Sequence, residues 1–362
     1  MRPSAALDSI LQSLPTDGAL FAGRVGAVRL STEPVRSLLV DAGHARIEGD
    51  VAEPPGNLVE APGEGLLVRR PAYLDLAPLF GATEAPPRDF WDLWHRRDDP
   101  DSYVRLDPYT GGLIRVAQAM RNAVDFEPRA LSCELHFGDI ADPEVAYQLT
   151  RCVAGIADAA RMFHLPVISR TLETAAELGL APRVMVGAHG AAVGVVRNAR
   201  SDQVGGPTLP AAREPIVVIG RSTEDLSGSL YLGDRPSLTP SIDLVAETRV
   251  IEVVRAAQEW LHWGTPVGRG GLVLTLARHL GESGVRLTLP AVWTQFSLAA
   301  AWFGEAQSRF VVTLSAADIP RLEELARPLA VPVATVGSAG GDRLVVDGLI
   351  DIGVKELDEW QN

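Results

Sequence analysis

The sequence predicts an α/β (α+β) chain, with a sheet-bearing domain followed by a second domain in which strands alternate with helices. Two stretches carry this expectation. From Trp302 to Asp342 a turn, a strand, a helix and a second strand follow in one uninterrupted run. From Leu106 to about Gly205 helical and strand patterns alternate, as expected of helices packed on a sheet. Composition agrees: 362 residues, 46% hydrophobic and 22% charged, suffice for two sizeable cores in an ordinary globular protein.

Short strand candidates at Ala27 to Leu30, Ser37 to Val40 and Ala45 to Glu48 precede a Pro/Gly-rich stretch from Glu53 to Gly65. An aromatic patch, Pro87 to Tyr103, leads into the alternating region. The clearest helix is Pro143 to His164, with Val145, Leu149, Val153, Ile156, Ala160 and Met162 broadly on one side and Asp142 placed to cap it. Gly187, His189 and Gly190 read either as a turn between Val184-Met185-Val186 and Ala192-Val193 or as backbone that approaches a ligand. A Gly/Pro-rich boundary near Val204 to Pro210 separates the domains. The predicted division is a divergent region 1–103 that forms part of the first domain, a domain 104–207, and a domain 208–362. In the last, helices are expected at Asp243 to Leu261, Gly271 to Leu280 and Ala316 to Leu329, the third behind Ser315 as N-cap. Strands are expected at Phe310 to Leu314 and Val331 to Val336. The glycine-rich Gly337 to Asp342 lies between strands and opens no helix, so it reads as a hairpin-like connection rather than a phosphate cradle.

Charge and cysteine content exclude several function classes. A formal net charge of −13 without a basic run argues against binding a nucleic-acid backbone, which needs clustered Lys and Arg. Cys133 and Cys152 show neither CxxC spacing nor an accompanying His cluster, and read as buried thiols in a strand and a helix. No signal-peptide pattern is present, and no apolar stretch reaches the roughly 18 residues needed to span a bilayer, so a cytoplasmic, non-membrane location is expected. Asp41 with His44, and Asp98 with Asp99 and Asp101, read as solvated charged loops before metal sites.

Several blocks in fixed order resemble phosphoribosylformylglycinamidine synthase, the purine-pathway ligase that makes an amidine from a formylglycinamide ribonucleotide with ATP and ammonia. They are LDPYTGGLIRVAQAMRN (Leu106 to Asn122), LHFGDIADPEV (Leu135 to Val145), PVIS (Pro166 to Ser169) and IVVIGRSTEDLSGSLYL (Ile216 to Leu232). RGGLVLTLARHLGESGVRL (Arg269 to Leu287), FGEAQSRFVV (Phe303 to Val312) and VGSAGGDRLVV (Val336 to Val346) follow. The landmarks cover roughly residues 104 to 350 and correspond to the family's C-terminal half. The resemblance implies an aminoimidazole-ribonucleotide-synthetase-like architecture, a sheet or half-barrel domain followed by an α/β domain. It also implies ATP and Mg²⁺ as ligands, and either a homodimer or a purine-pathway partner subunit that covers the open sheet edge. A hydrogenase- or selenium-pathway relative in the same superfamily is a remoter fit.

The same resemblance marks a nucleotide and substrate cleft at Cys133, His136, Arg170, Thr171, Glu173, Arg269, Gly270 and Gly271. Residue types there depart from the family. A GNVS-type turn is replaced by Ser169-Arg170-Thr171-Leu172-Glu173, with Arg170 at the glycine, Thr171 at the asparagine and Glu173 at the serine. A bulky cation stands where backbone should approach phosphate. The His-Asp-Val-Ser-Asp-Gly-Gly loop becomes Thr265-Pro266-Val267-Gly268-Arg269-Gly270-Gly271, which keeps the glycines and loses the His, both carboxylates and the hydroxyl. Cys133 replaces a polar ATP-contacting residue, and His136 replaces an asparagine. His136 reads as a ligand or base, or as a hydrogen-bonded core or interface residue. The family's His-Cys-Ser-Tyr-Lys segment, source of its catalytic histidine, does not occur in these residues. Glu305 and Arg309, retained in FGEAQSR, read as an ion pair at a domain interface or as residual ligand contacts. No catalytic or metal-binding residue is assigned. Two expectations follow: a non-catalytic paralogue or assembly subunit, or a divergent or split ATP-dependent subunit completed by a partner chain.

Overall fold

The computed structural model describes residues 28–30, 89–95, 102–192, 195–200, 208–210, 213–233 and 237–359. The strand candidates at Ser37 to Val40 and Ala45 to Glu48, and the acidic residues Asp41, Asp98, Asp99 and Asp101, lie outside them. The chain forms two compact units. The first holds the described residues 28–30, 102–192, 195–200 and 237–239; the second holds 89–95, 208–210, 213–233 and 240–359. The shortest helices are α1 (Phe90–Trp94), in the second unit, and α2 (Ser102–Leu106), in the first. Among the described residues no helix is long and apolar enough to cross a membrane.

In the first unit, α3 (Pro108–Asn122) starts behind Asp107, whose carboxylate accepts from the amides of Tyr109 and Thr110 at 3.0 and 3.1 Å. Asp142 caps α4 (Pro143–Met162) through the Glu144 amide at 2.8 Å. Each cap satisfies helix amides that have no intrahelical partner. The α4 side read from the spacing is buried at Val145, Leu149, Val153, Ile156 and Ala160, whereas Met162 at the end of the helix is 40% exposed.

The sheet of this unit has the order β1-β3-β2-β4-β5, from β1 (Val28–Leu30), β2 (Glu127–Phe137), β3 (Val167–Thr174), β4 (Arg183–Ala192) and β5 (Val195–Arg200). The β1–β3 and β3–β2 pairings are parallel; β2–β4 and β4–β5 are antiparallel. Along β2, Leu131, Cys133, Leu135 and Phe137 are buried while Ser132, Glu134 and His136 are half-buried. The sheet therefore has one closed apolar face and one more open polar face. Two sequence readings are corrected here. Gly187, His189 and Gly190 form no turn; they run through β4, paired on one side with β2 and on the other with β5. Ser169 to Glu173 likewise lie inside β3, in register with β2. In both cases ladder hydrogen bonds to strands distant in sequence outweigh local turn propensity.

The second unit is built on a seven-stranded mixed sheet of order β12-β11-β8-β10-β6-β9-β7. In chain order its strands are β6 (Pro215–Ile219), β7 (Leu261–Pro266), β8 (Val285–Leu287), β9 (Phe310–Leu314), β10 (Val333–Ala339), β11 (Arg343–Val346) and β12 (Ile350–Gly353). Its longer helices are α5 (Leu244–Ala257), capped by Asp243, then α6 (Gly271–Ala277), α7 (Leu298–Phe303), α8 (Ile319–Ala326) and α9 (Val354–Glu359). Phe90 and Leu93 of α1 join Ile216, Val218, Leu272 and Trp302 in its core.

Strand β9 occupies the predicted residues. The helix expected to run to Leu261 ends sooner, because Leu261 opens β7 against β9. The Ala316 to Leu329 helix is divided, with single 3₁₀ turns at Ala316–Asp318 and Arg327–Leu329 around α8. The Gly337 to Asp342 segment is not a hairpin. Strands β10 and β11 lie on opposite sides of β8, the first antiparallel to it and the second parallel. The link passes over Gly284, which accepts from the Gly340 amide and donates to the Gly341 carbonyl, both at 2.8 Å. A Cβ on Gly284 would stand 2.1 Å from the Arg343 carbonyl oxygen, so only glycine admits the crossing.

Candidate functional site

The predicted site residues divide between the two units, and those of the first unit lie on both faces of its sheet. In the first unit, parallel pairing places Cys133 opposite Arg170, Glu134 opposite Thr171 and His136 opposite Glu173. Residues paired in this way share a face. Cys133 and Arg170 accordingly sit on the closed face, 1% and 4% exposed. Burial pushes the Cys133 thiol up to about 12, the opposing pull of the Arg170 charge being smaller. Burial likewise holds the Arg170 guanidinium below its ordinary range, with Cys133 acting in the opposite direction. A thiol so placed is no nucleophile at neutral pH.

On the open face, His136 Nδ1 lies 3.4 Å from a Glu173 carboxylate oxygen. Both side chains reach solvent, at 29% and 46% exposure, so the pair contributes little to stability. Thr171 is half-buried on the same face beside Glu134. This face also holds a contact that the sequence did not disclose: His189 Nε2 lies 2.7 Å from Ser132 Oγ.

The second unit encloses a tighter network. Glu305 is 2% exposed, and its carboxylate gathers three donors from two loops. One oxygen accepts from the Leu230 amide at 2.8 Å and the Gly270 amide at 2.6 Å; the other is bound by the Arg269 guanidinium. Arg269 Nη1 also donates to the Gly228 carbonyl at 2.6 Å. Backbone geometry makes this possible. Gly270 and Gly271 both have positive φ, 81° and 70°, and a Cβ on Gly271 would come within 2.6 Å of Phe303 backbone. The two glycines therefore bring the start of α6 against the Phe303-Gly304 turn that carries Glu305.

Arg309, expected beside Glu305, makes hydrogen bonds to its own turn. Arg309, 1% exposed, donates to the carbonyls of Ala306 and Gly304 at 2.9 and 2.6 Å and to Ser222 Oγ at 3.1 Å. It fastens its own turn, and Arg269 binds the carboxylate. Sequence reasoning did not anticipate Glu247, which is fully buried and accepts from Ser308 Oγ at 2.6 Å. The landmark block IVVIGRSTEDLSGSLYL contained the available signal for Gly228 and Leu230, but nothing in it indicated which side chain their backbone would meet.

The donor set at the loop entering α6 does not fit a magnesium ion. That cation takes hard oxygen ligands, and the loop entering α6 presents a guanidinium whose charge is already matched by Glu305. Arg170 and Cys133 supply no oxygen ligand either. Among the described residues no group of three or more His, Cys, Asp and Glu is gathered to hold a metal.

No protein-family profile matches the chain. Among curated proteins, the phosphoribosylformylglycinamidine synthase subunit PurL of Bradyrhizobium sp. (strain BTAi1) is 32% identical over 269 residues, covering 70% of this chain and 35% of that protein. The PurL subunit of Anaeromyxobacter dehalogenans (strain 2CP-C) is 33% identical over 276 residues, with the same coverage. The chain thus spans about a third of the length of the curated relatives it matches. Among solved structures, phosphoribosylformylglycinamidine synthase II from Thermotoga maritima superposes with a TM-score of 0.54 at 19% identity, over 72% of this chain and 42% of that one. Thermotoga maritima PurL complexed with FGAR gives a TM-score of 0.55 at 19% identity, over 72% and 44%. At that identity the superpositions speak for the fold.

Proposed function

We propose that this chain, a relative of the phosphoribosylformylglycinamidine synthase subunit PurL with an aminoimidazole-ribonucleotide-synthetase-like fold, is a non-catalytic scaffold of that family. In this reading it acts in the cytoplasm by assembling with a second copy or a purine-pathway partner, or by binding a nucleotide without turning it over. The observation that carries the reading is the Arg269–Glu305 network. The Gly270 amide and the Arg269 guanidinium, groups that would otherwise receive a phosphate, are both spent on an internal carboxylate. Catalysis of phosphoryl transfer rests on preorganised charge around the transferred group. Here that charge is neutralised within the protein, and the buried Arg170 lies on the closed face of its sheet. The domain division at 104–207 and 208–362 is part of the same proposal.

The test is an assay of the purified chain, alone and mixed with candidate partner subunits, for ATP-dependent conversion of a formylglycinamide ribonucleotide to its amidine with ammonia. No turnover is expected in either case. Turnover with a partner that disappears on a substitution in this chain would overturn the scaffold reading and establish a split, working subunit. Calorimetry with Mg-ATP separates the remaining possibilities, since heat without turnover identifies nucleotide binding and no heat leaves assembly. Light scattering after size exclusion is expected to give a dimer mass at micromolar concentration.

A further inference from the structure

We propose that Ser132 and His189 form a nucleophile–base pair that takes up the acyl group of a small carboxylic ester. The two residues stand on neighbouring strands, Ser132 on β2 and His189 on β4, with Nε2 of the imidazole 2.7 Å from the hydroxyl oxygen. The register explains the reach. The cross-strand partner of Ser132 is Gly187, two residues before His189, so both side chains belong to the same face of the sheet. Glycine at 187 puts no side chain between the imidazole and the hydroxyl. Both residues are half-buried, neither sealed in the core nor fully solvated.

Three further features suit the pair to nucleophilic chemistry. Burial holds His189 below the ordinary imidazole range, so the neutral form that accepts a proton prevails at neutral pH. On its other side Ser132 is the Cα partner of Ser169 of β3, so a second hydroxyl-bearing residue stands on the neighbouring strand. The charged positions around the pair on this face are Glu134, two residues along β2, with His136 and Glu173 beyond it, and Arg200 of β5, which stands opposite Gly187.

The step balances without any further reagent. Ser132 Oγ attacks the ester carbonyl as its proton passes to His189 Nε2. The carbon–oxygen bond to the leaving alcohol then breaks, and that alcohol takes the proton from the imidazole. Water repeats the sequence on the acyl-serine, releases the acid and restores the hydroxyl.

The experiment exposes the full-length chain to a fluorophosphonate ester and maps adducts by peptide mass spectrometry. The Oγ–P bond forms, the P–F bond breaks, fluoride leaves and the imidazole takes the proton. The expected result is a single dominant adduct on Ser132, lost in Ser132→Ala and formed about 100-fold more slowly in His189→Gln. No adduct on Ser132, or equal rates with and without His189, overturns the proposal. If His189→Gln does not fold, the wild-type rate profile decides. A plateau reached below about pH 6.5 supports the imidazole as base, and a rate that keeps climbing through pH 9 overturns it.

Discussion

Two buried arginines, one in each unit, show how differently this chain handles the same problem. Arg170 is sealed on the closed face of the first sheet beside a neutral thiol, and burial depresses its charge affinity. Arg269 is nearly as buried but is bound to a carboxylate and a backbone carbonyl. A buried charge bound by an opposite charge becomes a structural joint, and removing one member strands the other. The Cys133 thiol opposite Arg170, which burial keeps protonated, offers no opposite charge of that kind.

The largest expected effect follows directly. Arg269→Met takes the guanidinium away from the buried Glu305 carboxylate, and should lower unfolding free energy by about 3–5 kcal/mol in urea titration. A loss below about 1 kcal/mol would erase the contrast with Arg170. Next comes Gly271→Ala. A side chain at φ 70° whose Cβ meets Phe303 backbone at 2.6 Å should cost about 2 kcal/mol or more in the same titration. Arg170→Met exchanges a buried guanidinium for an apolar side chain of similar length that also packs on the closed face, and is expected to lower stability by less than Arg269→Met does in the same titration. Greater damage there would mean that Arg170 is held as firmly as Arg269.

The smallest effect concerns pH. Cys133 ionises near its ordinary 9.0 when unfolded and only at about 12 when folded. Below pH 9 both states keep the proton and its contribution to stability is complete. As pH rises from 9 toward 12 the unfolded chain sheds the proton first, so stability falls. That fall should be shallower in Cys133→Ala, as measured by thermal unfolding between pH 8.5 and 10.5. In the native protein at pH 8, Cys133 should also resist iodoacetamide.

What the sequence disclosed, and what it withheld, divides along a physical line. Features set by neighbours in the chain were legible. Asp107 and Asp142 cap helices whose first turns they adjoin, and β9 is an apolar β-branched run that declares itself. Features set by distant partners were not. Strand β7, LHWGTP, contains a glycine and a proline and becomes a strand only because β9 offers a ladder. Gly337 to Asp342 has the composition of a hairpin turn, yet β8, some fifty residues earlier, comes between the two strands. The site behaved the same way. The sequence named Arg269, Gly270 and Glu305 separately, and the contact joining them spans 36 residues. It placed Arg309 near Glu305 because the two are close in the chain, but did not disclose Ser222, 87 residues away, as a hydrogen-bond partner of that guanidinium. Ser132 and His189, 57 residues apart, carried no motif at all.

The crossing over Gly284 has a kinetic consequence. Strand β8 is three residues long and takes its ladder partners from β10 on one side and β11 on the other, both emerging far later in the chain. Neither half can lock it alone. Loop closure over such separations is slow relative to local helix formation. Residues 285–287 are therefore expected to gain amide protection late in refolding, together with β10 and β11 and after helix α5, making this strand the keystone that closes the second sheet.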